Sequence, residues 1–250
     1  MSGHSKWAQI KRKKAVTDAK KGAVFSKIAK EIMVAAKLGG PDPQANFRLR
    51  FAIEKAKENL VPQNNIQRAI EKGAGIGQDD YRIEEIMYEG YGPGGAAILI
   101  QATTDNKNRT VSDLRSYFTK YHGKLAESGA VSWMFKKHGE IKIPKSAFNK
   151  EDEIYEIAIE AGAKDIDFSD DSCAIIITMT EELEKVQKNI LKKNIKTGEA
   201  QISYSAKEHI EITDKENVKN LIKLMEAIEE HDDVQNVFSN FDIKTELIED

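Results

Sequence analysis

The hydrophobic positions in the front part of the chain recur at the three- and four-residue spacing of amphipathic helices. Three successive helices are predicted. The first carries an apolar stripe from Phe25 to Ala36. The second has Asp42 as its cap and Leu60 at the end of its stripe, and the third begins at Pro62. Together the three helices predict a small bundle.

From about residue 96 onward, short apolar runs alternate with helical stripes. Residues 140–204 are predicted to form strand, helix, strand, strand, helix and strand, the βαββαβ order of a ferredoxin-like sandwich. A strand, a helix and a strand are also predicted on each side of this segment, at 97–135 and at 209–241. In the first of these halves the helix is expected to start at Thr110, or earlier from Asp105, and the second strand to occupy 131–135. The two halves would complete a second sandwich.

The predicted fold class is therefore α+β, with an N-terminal three-helix domain followed by two ferredoxin-like βαββαβ sandwiches, one inserted in the other. The predicted domains are residues 1–80, a discontinuous domain of residues 81–136 plus 206–250, and an inserted domain of residues 137–205. A glycine-rich stretch, residues 73–78, marks the first boundary.

The first thirty residues form a strongly basic arm. They contain nine Lys and Arg residues against one acid, Asp18, and they include Trp7. Lysine and arginine displace counterions from phosphates, and an aromatic ring can stack on an unpaired base. The arm therefore indicates a nucleic acid as partner. The alternative is a solvated tail whose Trp7 packs locally.

Charge is divided unevenly along the chain. Residues 1–82 carry 17 Lys and Arg and 8 Asp and Glu, whereas residues 83–250 carry 21 and 33. A basic front joined to an acidic remainder indicates two surfaces with different partners. Because the acidic part would repel phosphates, we expect the nucleic-acid contacts to lie at the front.

Motifs that would indicate catalysis or a cofactor do not stand out. Residues 90–95 match G-x-G-x-x-G, but a strand is predicted to follow and Pro93 removes a backbone donor, so a tight turn is favoured. The acidic stretch 165–171 lacks the glycine and final glutamate of a calcium loop. The single cysteine, Cys173, excludes an intrachain disulfide. No catalytic residue, metal or cofactor is predicted, and no apolar stretch approaches the ~20 residues of a membrane span.

A polar stretch, residues 103–110, lies between a predicted buried strand and a predicted helix. Its amide and guanidinium groups, with the helix N–H groups, can bind an anion or a nucleic-acid backbone. Asp, Asn and Thr are also ordinary turn and cap residues, so a structural role is the alternative.

Several segments are specific enough to indicate a family. They include GHSKW at 3–7, DAKKG at 18–22, AAKLGG at 35–40, RLR at 48–50, YEGYGPGG at 88–95 and TDNKNRT at 104–110. In this order they resemble the YebC/PmpR family, whose mitochondrial members are known as translational activators of cytochrome oxidase. The resemblance implies one helical and two ferredoxin-like domains and no enzymatic activity. Family members are usually described as probable transcriptional regulators that bind DNA, and others resemble translation factors that act on ribosomes.

The resemblance strengthens the prediction for the arm and, to a smaller degree, for the stretch 103–110. The residues predicted to contact nucleic acid are Lys6, Trp7, Lys11, Arg12, Lys13, Lys14, Lys20, Lys21, Arg48, Arg50, Asn106, Asn108 and Arg109. Because the family motif begins at residue 2, we expect no import presequence and a bacterial cytoplasmic protein.

The leading hypothesis is a non-enzymatic, nucleic-acid-binding regulator of gene expression, a DNA-binding transcriptional regulator by resemblance. Two alternatives stay open. One is a ribosome-associated translation factor that binds ribosomal RNA or tRNA and relieves stalls, for example at proline-rich stretches. The other is a protein–protein adaptor that uses the acidic domains. The third helix is expected to offer few side chains suited to base edges, which argues against tight sequence-specific reading of DNA.

Overall fold

The structure is a computed structural model, and it describes Trp7 and residues 21–76, 82–170 and 172–247. The helices of these residues are α1 (Lys21–Gly39), α2 (Phe47–Glu58), α3 (Gln63–Gly73), α4 (Lys107–Lys120), α5 (Glu151–Ala161), α6 (Leu183–Lys192) and α7 (Lys215–Glu230). The strands are β1 (Glu84–Tyr91), β2 (Ala97–Thr104), β3 (Lys124–Ala126), β4 (Phe135–Pro144), β5 (Asp165–Asp167), β6 (Cys173–Thr178), β7 (Ala200–Ala206), β8 (Ile210–Glu211), β9 (Val234–Ser239) and β10 (Phe241–Asp242).

Helices α1, α2 and α3 bury the apolar stripes that the sequence predicts. Ile32, Leu49 and Ile66, one from each helix, have almost no exposed surface and share one hydrophobic cluster. Gly73 lets α3 approach α1, because a Cβ atom at this position would overlap the backbone of Met33. Burial of these stripes is the main stabilisation of the bundle, since short helices are marginal in isolation.

Two details of the second helix differ from the prediction. Its cap is Asn46, whose side chain accepts a 3.0 Å hydrogen bond from the Leu49 N–H, whereas Asp42 accepts from the Gln44 N–H in the preceding turn. The expected cap was therefore wrong. Leu60 was also wrongly placed on the apolar stripe, because α2 ends before it. It lies in the turn to α3 with a positive φ of 58° and is 83% exposed.

The first sheet has the strand order β3-β1-β2-β9, and each pair of neighbours is antiparallel. Strands β1 and β2 pair along their whole length, from Glu84 opposite Thr104 to Tyr91 opposite Ala97. Apolar residues of α4 and α7 form one cluster with Ile98, Ile100 and other residues of the sheet. This sheet therefore combines strands that precede and follow the second sheet in the chain.

The strands of the first sheet were only partly predicted. Strand β1 was missed, and the strand expected at 131–135 was wrong, because Ser132–Met134 form a 3₁₀ turn that leads into β4. The strand that follows α4 is instead the short β3, and the strand expected at 209–212 reduces to the two residues of β8. The helix expected to start at Thr110 begins at Lys107, with Asn106 as its cap. The sandwich has the layers of a ferredoxin-like domain. The chain order of its elements is β1, β2, α4, β3, α7 and β9, which is permuted relative to βαββαβ.

The second sheet has the βαββαβ order that the sequence predicts. Strands β4 to β7 are arranged as β5-β6-β4-β7 with antiparallel neighbours, and α5 and α6 contribute to its core with Ile154 and Ile190. Strand β4 starts at Phe135, five residues earlier than expected. The predicted α+β class, with helices followed by two four-stranded antiparallel sheets, is confirmed. The three-domain division stays a prediction.

The two sheets meet through their strands β7 and β9. Tyr204 of β7 packs against Phe238 of β9 with ring centroids 5.2 Å apart, and both belong to a small apolar cluster with Phe135. The connection between the sheets, residues 127–134, lies beside this cluster and includes the buried Val131. The junction between the sheets is therefore packed.

Candidate nucleic-acid interface

Most of the basic arm lies outside the described residues. The predicted contacts Lys6, Lys11, Arg12, Lys13, Lys14 and Lys20 all fall in that part, and Lys21 is described only as the first residue of α1. Before residue 21 the arm is described at one point, Trp7, and its last ten residues form the start of α1.

Trp7 lies in the hydrophobic core of the first sheet. Its side chain is 2% exposed and belongs to the cluster that contains Phe118, Leu221 and Val237. The indole N–H donates a 2.7 Å hydrogen bond to the Oε1 atom of Glu229 near the end of α7. In this position the ring has no face open to a base, and it packs against distant parts of the chain, not locally as the alternative for this residue expected.

Arg48 and Arg50 of α2 are held by carboxylates of the acidic part of the chain. The guanidinium of Arg48 donates two hydrogen bonds, of 2.6 and 3.2 Å, to the carboxylate of Glu85. Burial disfavours ionisation of Glu85, but the charge of Arg48 outweighs it and lowers the pKa of the carboxyl. Arg50 pairs with Glu184 at 3.1 Å. Any phosphate contact by these arginines has to compete with an intramolecular ion pair.

The polar stretch 103–110 is built into the fold. Asn106 caps α4 by accepting a 3.1 Å hydrogen bond from the Arg109 N–H. The Arg109 guanidinium lies 3.0 Å from Asp105 and 2.9 Å from Asp233. Asn108, by contrast, is exposed on the first turn of α4. The structure thus gives Asn106 and Arg109 structural partners and leaves Asn108 at the surface.

Asp233, in the turn between α7 and β9, joins three parts of the chain. Its carboxylate is 1% exposed and accepts from the Lys30 ammonium at 2.5 Å, from Arg109 and from the Thr110 hydroxyl at 2.7 Å. Burial disfavours its ionisation, but these three donors outweigh it and hold the pKa of Asp233 well below its usual range. The basic helix α1 is therefore fixed to the first sheet by a buried carboxylate that sequence patterns did not single out.

A second charge network joins the bundle to the second sheet. Lys55 of α2 lies 3.0 Å from Glu31 and 2.8 Å from Glu199, and Glu199 also pairs with Lys142 at 2.6 Å. Burial opposes the charge on Glu199, but Lys55 and Lys142 outweigh it and lower its pKa to about 2. Glu31, Lys55 and Glu199 border a cleft of about 330 Å³ between α2 and α6. The network commits another cation of the bundle to an intramolecular contact.

Helix α3 offers more base-reading side chains than the sequence analysis expected. Its exposed residues are Gln63, Asn64, Asn65, Gln67, Arg68 and Lys72. Asn and Gln pair with adenine edges and Arg with guanine edges in the major groove. The expectation of few suitable side chains on this helix was therefore wrong. The apolar stripe that places the helix carries no information about the hydrogen-bonding groups on its opposite side.

The other candidate motifs take ordinary structural roles. Gly94 and Gly95, both with positive φ, form the turn between β1 and β2. In the stretch 165–171, Asp167 and Asp170 accept hydrogen bonds from backbone N–H groups two residues further on. Within the described ranges, no group of three or more His, Cys, Asp and Glu residues is placed to hold a metal ion. None of the described helices is long and apolar enough to cross a membrane.

The fold and this set of contacts define a protein with a basic helical front, two sandwiches of helices on antiparallel sheets, and no recognisable catalytic constellation among the described residues. The chain belongs to the TACO1/YebC family. Residues 5–76 match the family's N-terminal domain and residues 83–241 match its second and third domains.

Relatives match along the whole chain. A probable transcriptional regulatory protein of Desulfotalea psychrophila is 50% identical over 100% of this chain and 98% of its own length. One from Sulfurihydrogenibium sp. is 49% identical with the same coverage. The crystal structure of the conserved hypothetical protein Aq1575 from Aquifex aeolicus is similar with a TM-score of 0.87 and 47% identity, over 95% of this chain and 97% of that one.

Proposed function

We propose that the chain is a non-enzymatic, nucleic-acid-binding regulator of gene expression in the cytoplasm, with DNA as its leading target. The observation that carries the proposal is the charge of the first thirty residues, nine cations against one acid, of which Lys27 and Lys30 have partners within the fold. A segment of this charge gains free energy by releasing counterions from phosphates. The names of the relatives, probable transcriptional regulatory proteins, support a role in transcription.

The ion pairs of the bundle indicate which cations supply the phosphate contacts. Four cations of helices α1 and α2 pair with carboxylates, namely Lys30, Arg48, Arg50 and Lys55. The main contacts are therefore assigned to the cations of the arm, and Arg48, Arg50, Asn106, Asn108 and Arg109 contribute less. The assigned arm cations are Lys6, Lys11, Arg12, Lys13, Lys14, Lys20 and Lys21.

Trp7 has a different role from these cations in the proposal. Its buried ring and its hydrogen bond to Glu229 attach the arm to the first sheet. An attached arm loses less conformational entropy on binding than a segment tethered only at α1. The exposed amides and Arg68 of α3 then provide groups that can read base edges in duplex DNA.

The second candidate function is a translation factor that binds ribosomal RNA or tRNA. The observation that favours it is the exposed ring of Trp133, because sequence-specific recognition of RNA targets unpaired bases that stack on aromatic side chains. The same arm would serve both functions, since phosphates are common to DNA and RNA.

The test measures the affinity of the full chain for duplex DNA and for structured RNA as a function of salt. Each phosphate contact on duplex DNA contributes about −0.9 to the slope of log affinity against log salt. Replacing Lys11, Arg12, Lys13 and Lys14 by Gln should reduce the slope by up to about 3.6. The matched control replaces four exposed lysines of the acidic part, Lys150, Lys164, Lys192 and Lys219, and should leave the slope unchanged.

A salt-independent affinity, or an arm variant that binds as tightly as the natural chain, would contradict the proposal and favour a protein–protein adaptor. Tighter binding of structured RNA than of duplex DNA at equal salt would favour the second candidate.

A further inference from the structure

The chain has two tryptophans, and the structure places them in opposite environments. Trp7 is buried, whereas Trp133 is 63% exposed in the connection between β3 and β4. A large exposed aromatic ring loses free energy in water, so its position at the surface needs a reason. The polar residues next to it along the chain, Ser132 and Lys136, are exposed as well.

The Trp133 ring is held in a fixed position by hydrogen bonds of the connection. Its indole N–H donates to the carbonyl of Ala130 at 3.1 Å, and the Tyr91 hydroxyl donates to the same carbonyl at 2.9 Å. The Lys207 ammonium donates to the carbonyl of Trp133 at 2.7 Å. The polar atom of the ring is thus satisfied within its own loop, and the face of the ring remains exposed.

Glu89 fixes the backbone that carries this ring. Its buried carboxylate accepts hydrogen bonds from the N–H groups of Gly129, Val131 and Ser132, at 2.8, 2.6 and 2.8 Å. Burial disfavours ionisation of Glu89, but these donors outweigh it and lower the pKa of the carboxyl. A ring presented by such a loop loses little further entropy when a ligand covers it.

The local charge differs from that of the acidic part as a whole. Lys136 and Lys137 lie at the end of β4 that follows Trp133. Lys136 is exposed three residues after Trp133, and the Lys207 ammonium lies against the Trp133 carbonyl. Glu127 and Glu208 are the exposed acids nearest along the chain. Lysines beside an open aromatic face are the combination found in sites for single-stranded nucleic acid, where the ring stacks on a base and the cations contact the adjacent phosphates.

We propose that Trp133 is a stacking platform for an unpaired nucleobase, with Lys136 and Lys207 contacting the flanking phosphates. The inference rests on the proposed nucleic-acid function and adds to it a second contact, separate from the arm. The ligand class is single-stranded RNA or DNA, because bases in a duplex do not offer a free face to the ring.

The experiment uses the full chain with oligouridine, oligothymidine and a duplex of the same length. Stacking on Trp133 should quench tryptophan fluorescence with both single strands, and Trp133→Phe should remove the quenching because the remaining Trp7 is buried. Trp133→Ala should weaken single-strand binding at least about five-fold, a loss expected when one base no longer stacks. It should leave the salt slope unchanged, since stacking releases no counterions.

The matched control is Tyr155→Ala, which removes an exposed ring from the acidic helix α5 and should leave binding unchanged. Thermal unfolding of each variant checks that the fold is retained. If the natural chain binds with steep salt dependence but Trp133→Ala binds single strands equally well, the stacking platform is overturned and the proposed function stands. If the natural chain binds none of the three oligonucleotides, the proposed function fails.

Discussion

The indole N–H of Trp7 and the carboxylate of Glu229 are joined by a 2.7 Å hydrogen bond although 222 residues separate them in the chain. The bond links the start of the basic arm to the end of the last long helix. Lys27 of α1 donates to the backbone carbonyl of the same Glu229. Trp7 and α1 are therefore both fixed to the C-terminal end of α7.

Replacing Trp7 should destabilise the protein in two steps. Trp7→Ala should lower the free energy of unfolding by about 3–5 kcal/mol, because it removes a buried ring from the core. Trp7→Phe keeps most of the packing and loses the hydrogen bond to a charged acceptor, so we expect a loss of about 1.5–3 kcal/mol. Urea unfolding followed by circular dichroism measures both. Equal stability of Trp7→Ala and the natural chain would show that the buried Trp7 side chain does not stabilise the fold.

Asp233→Asn should lower the free energy of unfolding more than most substitutions of polar residues. The carboxylate is buried and paired with Lys30 and Arg109, so its removal leaves two cations without their shared partner, at a cost of about 3 kcal/mol. Asp105→Asn removes an exposed partner of the same Arg109 and should cost less than about 1 kcal/mol. Chemical denaturation of both variants compares them. Similar losses would contradict the role assigned to the buried position.

The free energy of unfolding should fall in acid, partly because the carboxylate of Glu199 becomes protonated. Its pKa in the folded chain is about 2, below the ordinary value of about 4.3, so its contribution is present above the ordinary value and is lost as pH falls towards 2. The difference corresponds to about 3 kcal/mol at neutral pH. Unfolding of Glu199→Gln measured between pH 6 and about 2 should show a correspondingly weaker pH dependence. Glu160→Gln, at an exposed pair with Lys193, is the control and should leave the curve unchanged.

Two glycine substitutions in the bundle should change the free energy of unfolding in opposite directions. Gly73→Ala places a Cβ atom against the backbone of Met33 and should lower the free energy of unfolding by about 1–3 kcal/mol. Gly22→Ala meets no atom within 4 Å in the first turn of α1 and should raise it by a few tenths to about 1 kcal/mol. Thermal unfolding gives both values. A destabilised Gly22→Ala would contradict the open environment of this residue.

The sequence was most informative where one side of an element is buried. The stripes of α1 to α3 and the order of the second sheet follow from hydrophobic periodicity. Strand β1 was missed because its exposed and buried residues do not alternate, and because Glu89 is buried through hydrogen bonds to a loop forty residues away. Local patterns carry no record of such distant partners.

The candidate site was also predictable only where local sequence patterns are sufficient. The positive charge of the arm is visible in composition, but the pairing of Arg48, Arg50 and Lys55 depends on acids that lie far away in the sequence. The exposure of Trp133 was likewise hidden, since its neighbours Val131 and Phe135 are apolar and suggested a buried strand. The signal that could have indicated it is the cluster of lysines that follows.

The permuted strand order also determines when the arm can be anchored during synthesis of the protein. The second sheet is complete once residue 206 has been made, whereas β2 waits for β9, and the Trp7 site waits for α7. Domains fold as units while the chain emerges from the ribosome. The basic arm therefore lacks its anchor until α7 has been made.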